Sequence, residues 1–417
     1  MNRKQAQDII PSHRNQIVGG VLLGLFAWAV MAQAQQVVPP PPEATVTPPV
    51  LQPLQPTDSV LAEALGTSET NAPLQWGPVS LRPRVTYDFL YGTGILASPS
   101  NHVNSVIQQV SPGLMLGVGS HWTVDYAPLW TFYSNHQLAD TLDHAATLAW
   151  GTIYEDWVLS LSQSYTSSSG PLVQTGGQTS QETYLTAATG SYRFSEAMLL
   201  ELGVNQDFRF ADKFTNYRQW STMDWLGYQF QPQLNAALGA GFGYVDLDAS
   251  PDQTYEQFQG RLTWRTTQKI SLIVHGGVEV RQMPDTLINP IFGASLQYRP
   301  FEVTTFSLNA DRTVAPSFFE GQVTETTSVT ATLSQRFLER FYLTVGGAYN
   351  NAQYITSATG GSAGRTDNYD SFNARLSTRF FKRGTVAATY QYSDNSSTVA
   401  GFGYRSHQVG CEFGYRY

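Results

Sequence analysis

The fold is decided by the last residues of the chain, where positions 404–417 read YRSHQVGCEFGYRY. Taking every second residue separates two faces over this stretch. One face is apolar and holds Val409, Cys411, Phe413, Tyr415 and Tyr417, whereas the other holds Gln408, Gly410, Glu412, Gly414 and Arg416. A period of two, sustained over ten residues, predicts a β-strand with one apolar and one polar side.

The segment before it, residues 384–394, alternates in the same way. An apolar face that runs to an aromatic last residue is unusual in a water-soluble protein, because an exposed terminus normally frays. It suits a transmembrane barrel strand, whose outward side chains lie in lipid and whose inward side chains face water. The ending also resembles the C-terminal signal of bacterial outer-membrane barrels. That resemblance implies contact with outer-membrane lipid and recognition by the barrel-assembly machinery through Val409, Phe413, Tyr415 and Tyr417.

Composition agrees with this interpretation and excludes several classes of protein. Only 13% of the residues are charged, against about 25% in typical soluble domains. A bundle of membrane helices is excluded, because no stretch beyond the first 34 residues approaches the roughly 18 apolar residues that a spanning helix needs. The net charge of −8 argues against a nucleic-acid partner. The single cysteine, Cys411, provides neither a disulfide framework nor a cysteine-based metal site.

The N-terminal region divides into two parts. Residues 1–34 are predicted to be a cleaved secretory signal, with a basic start, an apolar run over 17–31 and Ala32-Gln33-Ala34 as the cleavage site. An uncleaved anchor helix is the alternative. Residues 35–79 are predicted to be a proline-rich periplasmic linker, since eight prolines between Pro39 and Pro56 favour an extended chain. This linker could be a disordered spacer, contact peptidoglycan or a periplasmic partner, or fold into a barrel lumen.

Residues 80–417 are predicted to form a transmembrane up-and-down antiparallel β-barrel. Alternation continues through eighteen strand-like segments, with sixteen strands as the next most probable number. The connections alternate between tight turns, such as Gly119-Ser120 and Ser195-Glu196, and longer loops, such as 96–104, 169–181 and 355–366. Aromatic residues crowd the tight turns, as expected for a girdle at the membrane interface. A soluble β-sandwich is the alternative, but it would not produce this asymmetry. The barrel predicts an outer-membrane location.

Two passages near the end, YQYSDNSS at 390–397 and YRSHQVG at 404–410, together with the hairpin-by-hairpin pattern, resemble the putative beta-barrel porin 2 family. The resemblance covers residues 80–417. It implies an outer-membrane barrel, in some members associated with exopolysaccharide export, and it carries over no catalytic or binding residues.

Charged residues on the polar faces of the strands are the candidate functional residues. If the barrel is a channel, they are predicted to line the lumen and to set ion selectivity, because a lumen charge acts on every passing ion at short range. The alternative is that they pair with one another along the wall and affect flow little. These candidates are Arg209, Arg261, Arg265, Arg281, Arg375, Arg379, Asp88, Asp125, Glu201, Asp207, Glu279, Asp311 and Glu412. Gln257, Gln259 and Thr263 could also bind sugar hydroxyls.

Enzymatic and metal-binding functions have weaker support. His102, His136 and His144 are expected at the outer ends of neighbouring strands, but their spacing is not that of a metal site. A lipase would need a serine and a histidine on the same lipid-facing rim, and Ser406 and His407 lie on opposite faces. We therefore expect no catalytic site, no metal and no cofactor.

Two functions from different classes follow. The first is a porin-like channel for passive diffusion of small hydrophilic solutes, with a possible link to polysaccharide export. The second is a structural or partner-binding barrel, plugged by the N-terminal segment or a long loop, that anchors an envelope or exopolysaccharide-export complex. A plugged, energised transporter is a third, but about 45 residues before the barrel are too few for a plug domain.

Overall fold

A computed structural model describes residues 74–248, 250–267, 269–283, 285–356, 363–381 and 383–417. The predicted signal peptide and residues 35–73 of the predicted linker lie outside the described residues. Within the described part, the strands are β1 (Leu74–Trp76), β2 (Val79–Ser98), β3 (Asn101–Val118), β4 (Trp122–Tyr133), β5 (Thr141–Tyr154), β6 (Trp157–Ser168), β7 (Pro171–Leu172), β8 (Gly177–Gln178), β9 (Gln181–Arg193), β10 (Met198–Ala211), β11 (Tyr217–Gln231), β12 (Leu234–Leu247), β13 (Gln253–Thr267), β14 (Ile270–Gln282), β15 (Thr286–Phe301), β16 (Thr304–Pro316), β17 (Gln322–Phe337), β18 (Phe341–Thr356), β19 (Ala363–Phe380), β20 (Gly384–Ser397) and β21 (Tyr404–Arg416).

The long strands close into a ring. Each pairs antiparallel with the next one along the chain, with β6 pairing with β9 across the short β7–β8 hairpin. The ring is completed because β21 pairs with β2, from Arg84 opposite Arg416 to Thr93 opposite His407. The described residues therefore form a barrel of eighteen strands, β2–β6 and β9–β21. This confirms the predicted all-β, up-and-down barrel and its strand number, and it excludes the sandwich.

The two faces of the wall differ as the alternation predicts. Leu238, Phe258 and Val409 are more than half exposed on the outside, whereas Glu279 and Arg281 are only 1% exposed on the inside. In water, a continuous outer surface of large apolar side chains would be an interaction or aggregation site. In a bilayer the same surface is the one that contacts the acyl chains.

The connections also follow the predicted asymmetry. Both β2 and β21 have their terminal ends at the side where the strands are joined by tight turns, here named the turn end. Several of these turns use residues with positive φ, among them Glu155, Leu338 and Phe381. The opposite side, named the loop end, carries the longer connections. Exposed aromatic residues, including Tyr154, Phe194, Phe230 and Phe301, mark the membrane interface at the turn end.

One loop is shorter than expected. Residues 96–104 were predicted to be a loop, but β2 extends to Ser98 and β3 starts at Asn101, so that only two residues join them. A register shift between Gly92 and Ile95 bends the extended hairpin. Gly94 permits the bend, because its φ is +69° and a Cβ there would lie 1.9 Å from the Arg405 carbonyl oxygen.

The start of the described chain adds a small element to the seam. Strand β1 pairs with the first residues of β2, from Leu74 opposite Leu81 to Trp76 opposite Val79. These residues belong to the end of the predicted linker. The described residues contain no helix with the length and apolarity needed to cross a membrane.

Candidate functional site

The candidate site is the inner wall of the barrel, and its charged side chains pair extensively. Near the turn end, Arg84 donates two hydrogen bonds to the Asp125 carboxylate at 2.7 and 2.9 Å. Arg375 likewise donates two to Glu412, at 3.1 and 2.7 Å. Asp88 lies directly opposite Glu412 across the β2–β21 seam. Bidentate pairs such as Arg84–Asp125 and Arg375–Glu412 are stronger and more specific than single-contact ion pairs.

A second pair reaches across several strands. Nη2 of Arg261, on β13, donates to Oε2 of Glu201, on β10, at 2.6 Å, and both side chains are buried. The guanidinium carbon lies 4.5 Å from the centre of the Trp225 ring on β11. Strand β12 leaves space for these large side chains, because its inner face carries Gly239, Gly241 and Gly243. The glycine pattern of this strand therefore serves close packing, as expected from its position.

A third network occupies the wall nearer the loop end. Arg281 donates to Glu279 at 2.8 Å and to the Gln253 side chain at 3.1 Å, and its guanidinium lies over the Tyr255 ring. The network continues from Glu279 through Gln257 and Gln259 to His275, which lies 3.9 Å from Asp311. The two glutamines proposed for sugar binding are thus hydrogen-bonded to neighbouring side chains. Thr263 lies buried on the same strand.

Arg209 and Asp207 lie at the loop end, where Arg209 contacts an inward-folded loop. Nη2 of Arg209 donates to the Ser317 carbonyl at 3.0 Å, and the guanidinium carbon lies 3.7 Å from the centre of the Phe318 ring. Asp207 accepts a hydrogen bond from the Tyr217 hydroxyl at 2.9 Å. The loop over 317–321 thereby reaches from the β16–β17 edge of the ring to β10, six strands away.

A hairpin also folds into the loop end. Residues 171–178 include β7 and β8, and Leu172, Val173 and Gln174 are almost completely buried. Val173 packs with Leu96, Tyr369 and Tyr404 on the far side of the ring. Loops normally run over the surface, because buried backbone polar groups need partners. This segment is therefore an inserted element of the lumen.

Arg365 on β19 supplies those partners. Its Nη1 donates to the Gln174 carbonyl at 2.8 Å and its Nη2 to the Val173 carbonyl at 3.0 Å. Its Nε donates to Asp367 at 2.9 Å, and Asp367 is fully buried. The guanidinium also stacks on the Phe402 ring, at 3.6 Å from its centre. One arginine thus links the tip of the hairpin to the opposite wall.

The two inserted segments meet. Leu172 of the hairpin and Phe318 of the 317–321 loop share an apolar cluster with Ala211, and Phe214 and Phe319 pack against it. Contacts to β2, β10, β19 and β21 place the segments across the opening and not along one side of it. The lumen is consequently constricted at the loop end.

The remaining candidates, Arg265 and Arg379, lie exposed near the turn end. Arg379 faces the ring of Tyr342, 5.9 Å from its centre. The alternation of exposed and buried positions places the predicted lumen residues on the inner wall, and most of them form ion pairs or hydrogen bonds. Their effect on ion selectivity stays a prediction. Sequence reasoning missed Arg84, which pairs with Asp125 41 residues away, and Arg365, whose contacts with the hairpin at 173–174 span more than 190 residues.

His102, His136 and His144 lie at the loop end, near the start of β3, in the β4–β5 connection and near the start of β5, as the sequence predicts. His102 lies 3.1 Å from the Gly403 carbonyl, and Nδ1 of His144 lies 3.0 Å from the Tyr126 hydroxyl. Among the described residues, no group of three or more His, Cys, Asp or Glu side chains is placed to hold a metal ion.

The second half of the ring, from β13 to β21, is the part of the chain that matches a known family. Residues 251–417 match the family model of Putative beta-barrel porin 2. The resemblance predicted from the sequence is confirmed over this region. The closed barrel, its apolar exterior and this match are features of outer-membrane proteins.

Several solved structures align with most of the chain. One is the outer membrane protein OpdK from Pseudomonas aeruginosa, with 10% identity over 81% of this chain and 99% of that chain and a TM-score of 0.44. Another is OccAB4 from Acinetobacter baumannii, with 13% identity, 81% and 98% coverage and a TM-score of 0.41. A third is OpdO from Pseudomonas aeruginosa, with 12% identity, 81% and 97% coverage and a TM-score of 0.44. No curated protein matches the chain.

Proposed function

We propose that the protein is a passive outer-membrane channel for small hydrophilic solutes. The observation that carries the proposal is a closed eighteen-stranded wall that is apolar outside and polar inside. A barrel of this size is wide enough to enclose more than its own side chains. Wall charges such as Asp88, Glu412 and Arg375 would then act on passing ions.

The inserted segments would set the size limit of this channel. The hairpin at 171–178 and the loop at 317–321 narrow the loop end, so that we propose passage of small solutes only. No contact among the described residues adds support for the link to polysaccharide export that the family resemblance implies. Our proposal therefore does not include that link.

Single-channel recording in a planar bilayer tests the proposal. Protein extracted from outer membranes should give stable current steps whose size rises with salt concentration. A folded barrel that gives no steps would overturn the channel hypothesis. The folded state can be checked independently by the altered gel mobility of the unheated barrel.

A plugged, partner-binding barrel is the second candidate, and the buried hairpin favours it. Two deletions separate the possible plugs. If removal of residues 171–178 raises the current strongly from near zero, the hairpin is the plug. If removal of residues 37–78 raises the current in this way, the N-terminal segment is the plug. Steps of similar size in the intact chain and in both deletions would instead support the open channel.

A further inference from the structure

The junction between β15 and β16 is only partly paired. The two strands pair from Phe301 opposite Thr304 up to Phe292 opposite Arg312, and no described residue of β16 lies opposite residues 286–291 of β15. On their other edges, β15 pairs with β14 and β16 pairs with β17 to the ends of the strands. The wall therefore has a split that opens toward the loop end. This β15–β16 split is bounded by residues 286–291 of β15 and residues 313–316 of β16.

Two prolines occupy ladder positions that face the split. The hydrogen bond from the Ser317 N–H to the Gln322 carbonyl shows that odd-numbered residues of β16 bond to β17, so even-numbered residues of β16 point toward β15. With the β15–β16 register continued, Pro290 and Pro316 both stand where an N–H would cross the split. Proline has no N–H to donate, and within sheets it is confined to edges and bulges. The sequence therefore prevents a complete ladder at this junction.

Side chains from the inner wall bind the carbonyl groups that β16 turns toward the split. Nη2 of Arg281 donates to the Val314 carbonyl at 3.3 Å, and Nη2 of Arg209 donates to the Pro316 carbonyl at 3.5 Å. Since Arg209 lies on β10, six strands away, the end of β16 leans into the lumen. An open sheet edge in a membrane is costly because its backbone groups lack partners. These hydrogen bonds lower that cost and stabilise the split.

Apolar side chains seal the split at the loop end. Val314, Val323 and Ile355 form a buried cluster on the β16 side, and Met283 and Leu287 pack against this cluster from the β15 side. Hydrophobic contacts are not directional, so another apolar chain can replace them without leaving a hydrogen bond unmade. The cluster is therefore a seal that an apolar molecule can displace.

The split lies within the apolar band of the barrel. On its outer face, Ile288 is 67% exposed and Phe292 is 45% exposed. Phe292 precedes Tyr298, an exposed aromatic residue of the turn end, by six residues (298 − 292). With a rise of about 3.4 Å per residue and a tilt of about 40°, the split begins about 15 Å above Tyr298 in a band about 25 Å tall. The split thus faces the acyl chains of the loop-end half of the membrane.

A buried amide lies on the lumen side of the split. Strand alternation places Asn289 on the inner face, opposite to its neighbours Ile288 and Pro290. Asn289 is 3% exposed, and its Nδ2 has no hydrogen-bond partner among the described residues. A buried donor without a partner costs free energy, so Asn289 marks a place for an oxygen acceptor. A molecule in the split would meet apolar groups on the membrane side and this donor on the lumen side.

We propose that the β15–β16 split is a lateral opening that admits a single-chain amphiphile from the membrane. The acyl chain lies in the split, and an oxygen of the head group accepts a hydrogen bond from Asn289. An added β-strand does not fit, because Pro290 and Pro316 cannot donate to it. The proposal goes beyond an axial channel and does not require that the lumen conduct ions.

Fluorescence quenching in proteoliposomes tests this route. In a Cys411→Ser background, a single bimane label is attached at Thr313→Cys, on the inner face of β16 beside the split. The matched control label is Thr147→Cys, on the inner face of β5, where both neighbouring strands are paired. Stearate and lysophosphatidylcholine, each with a nitroxide near the head group, are the quenchers, which distinguishes a carboxylate head group from a phosphate one.

At least one quencher should lower the fluorescence of the Thr313 label several-fold more than that of the Thr147 label, because only an amphiphile that enters the split brings its nitroxide inside the wall. The substitution Asn289→Ala should reduce this difference by removing the donor. Asn289 lies in β15, and its side chain makes no hydrogen bond that this substitution would break.

A closure variant tests the role of the prolines. Pro290→Ala/Pro316→Ala restores two N–H donors across the split and should remove most of the quenching at Thr313, since the ladder can then close. The matched control is Pro112→Ala/Pro128→Ala, whose prolines face each other in the β3–β4 register with paired residues on both sides. This control should be quenched like the wild type. Gel mobility of the unheated protein shows that each variant is folded.

Equal quenching of the Thr313 and Thr147 labels would overturn the inference. Quenching that persists in the folded closure variant, or that is lost equally in the Pro112/Pro128 control, would also overturn it. Single-channel current is measured separately, so a barrel that is quenched at Thr313 but gives no current would sink the channel proposal and leave the lateral opening intact.

Discussion

At the scale of single residues, the loop end depends on Arg365. This side chain is buried, contacts Asp367, and donates to two backbone carbonyls of the hairpin. A buried ion pair adds little net stability over an apolar alternative, but losing one partner leaves an uncompensated charge. Without Arg365, the fully buried Asp367 would be left with an uncompensated charge.

Replacement Arg365→Ala should therefore destabilise the barrel by about 3 kcal/mol or more. Arg405→Ala is the matched control, because Arg405 also pairs with an aspartate, Asp394, at 2.6 Å but is 68% exposed. That exposed pair should contribute no more than about 1 kcal/mol. Urea unfolding in lipid vesicles measures the change in the free energy of unfolding that each substitution causes. Equal effects of the two substitutions would contradict the role given to Arg365.

The glycines of β12 make a second residue-scale prediction. A Cβ at Gly243 would lie 2.1 Å from Cζ of Tyr255, so Gly243→Ala should force the ring to move, at a cost of about 1–3 kcal/mol. At Gly260 nothing lies within 4 Å of the added atom, and Gly260→Ala should be close to neutral. The same unfolding experiment compares them. A neutral Gly243→Ala would show that the Tyr255 side chain repacks freely.

At the scale of elements, the last strand has the two faces that its sequence predicts. Val409, Phe413, Tyr415 and Tyr417 are all exposed on the outer surface. Their outward position is compatible with recognition by assembly machinery, which stays a prediction.

If these side chains are read during assembly, Phe413→Ala should lower the amount of folded barrel in the outer membrane several-fold. Phe292→Ala is the control, because Phe292 on β15 has nearly the same exposure, 45% against 46%, but lies in an internal strand. Quantitative blotting of unheated membrane fractions reads out both. Equal yields of folded barrel for the two variants would show that the C-terminal strand is not recognised specifically during assembly.

Much of the element-level fold could be predicted because each strand shows its faces locally. In β14, the apolar and polar positions of 270–281 separate in the sequence as they do in the barrel. The inserted hairpin could not be predicted in this way. Residues 171–178 are buried by partners such as Arg365, 192 residues from Val173, and no local pattern encodes that contact.

The site shows the same limit and one missed signal. Alternation placed Arg261 and Glu201 on the inner wall, but their pairing depends on the register of four strands and spans 60 residues. By contrast, the arginine beside an aromatic residue near the ends of β9, β13, β15, β17, β19 and β21 is visible in the sequence. Arg265 and Arg379 were predicted individually, and the repeat emerges only when the strands are compared with one another.

At the scale of the whole molecule, charge is unevenly distributed along the barrel axis. Arginines lie near the turn end of six strands, β9, β13, β15, β17, β19 and β21, and carboxylates outnumber basic residues in the described connections of the loop end. A channel with this asymmetry should pass unequal currents at opposite voltages. Rectification should be clear near 0.1 M salt and fade toward 1 M, where the Debye length falls to about 3 Å. Symmetric currents at low salt would show that the lumen charges do not control flow.

Barrel closure makes folding depend on complete synthesis of the chain. The seam joins residues as far apart as Arg84 and Arg416, whose numbers differ by 332 (416 − 84). Until β21 reaches β2, both strands present unpaired edges, which are templates for aggregation and targets for proteolysis. A chain halted anywhere before its last strand could never hide those edges. Only a polypeptide translated through β21 can therefore close the barrel in the membrane.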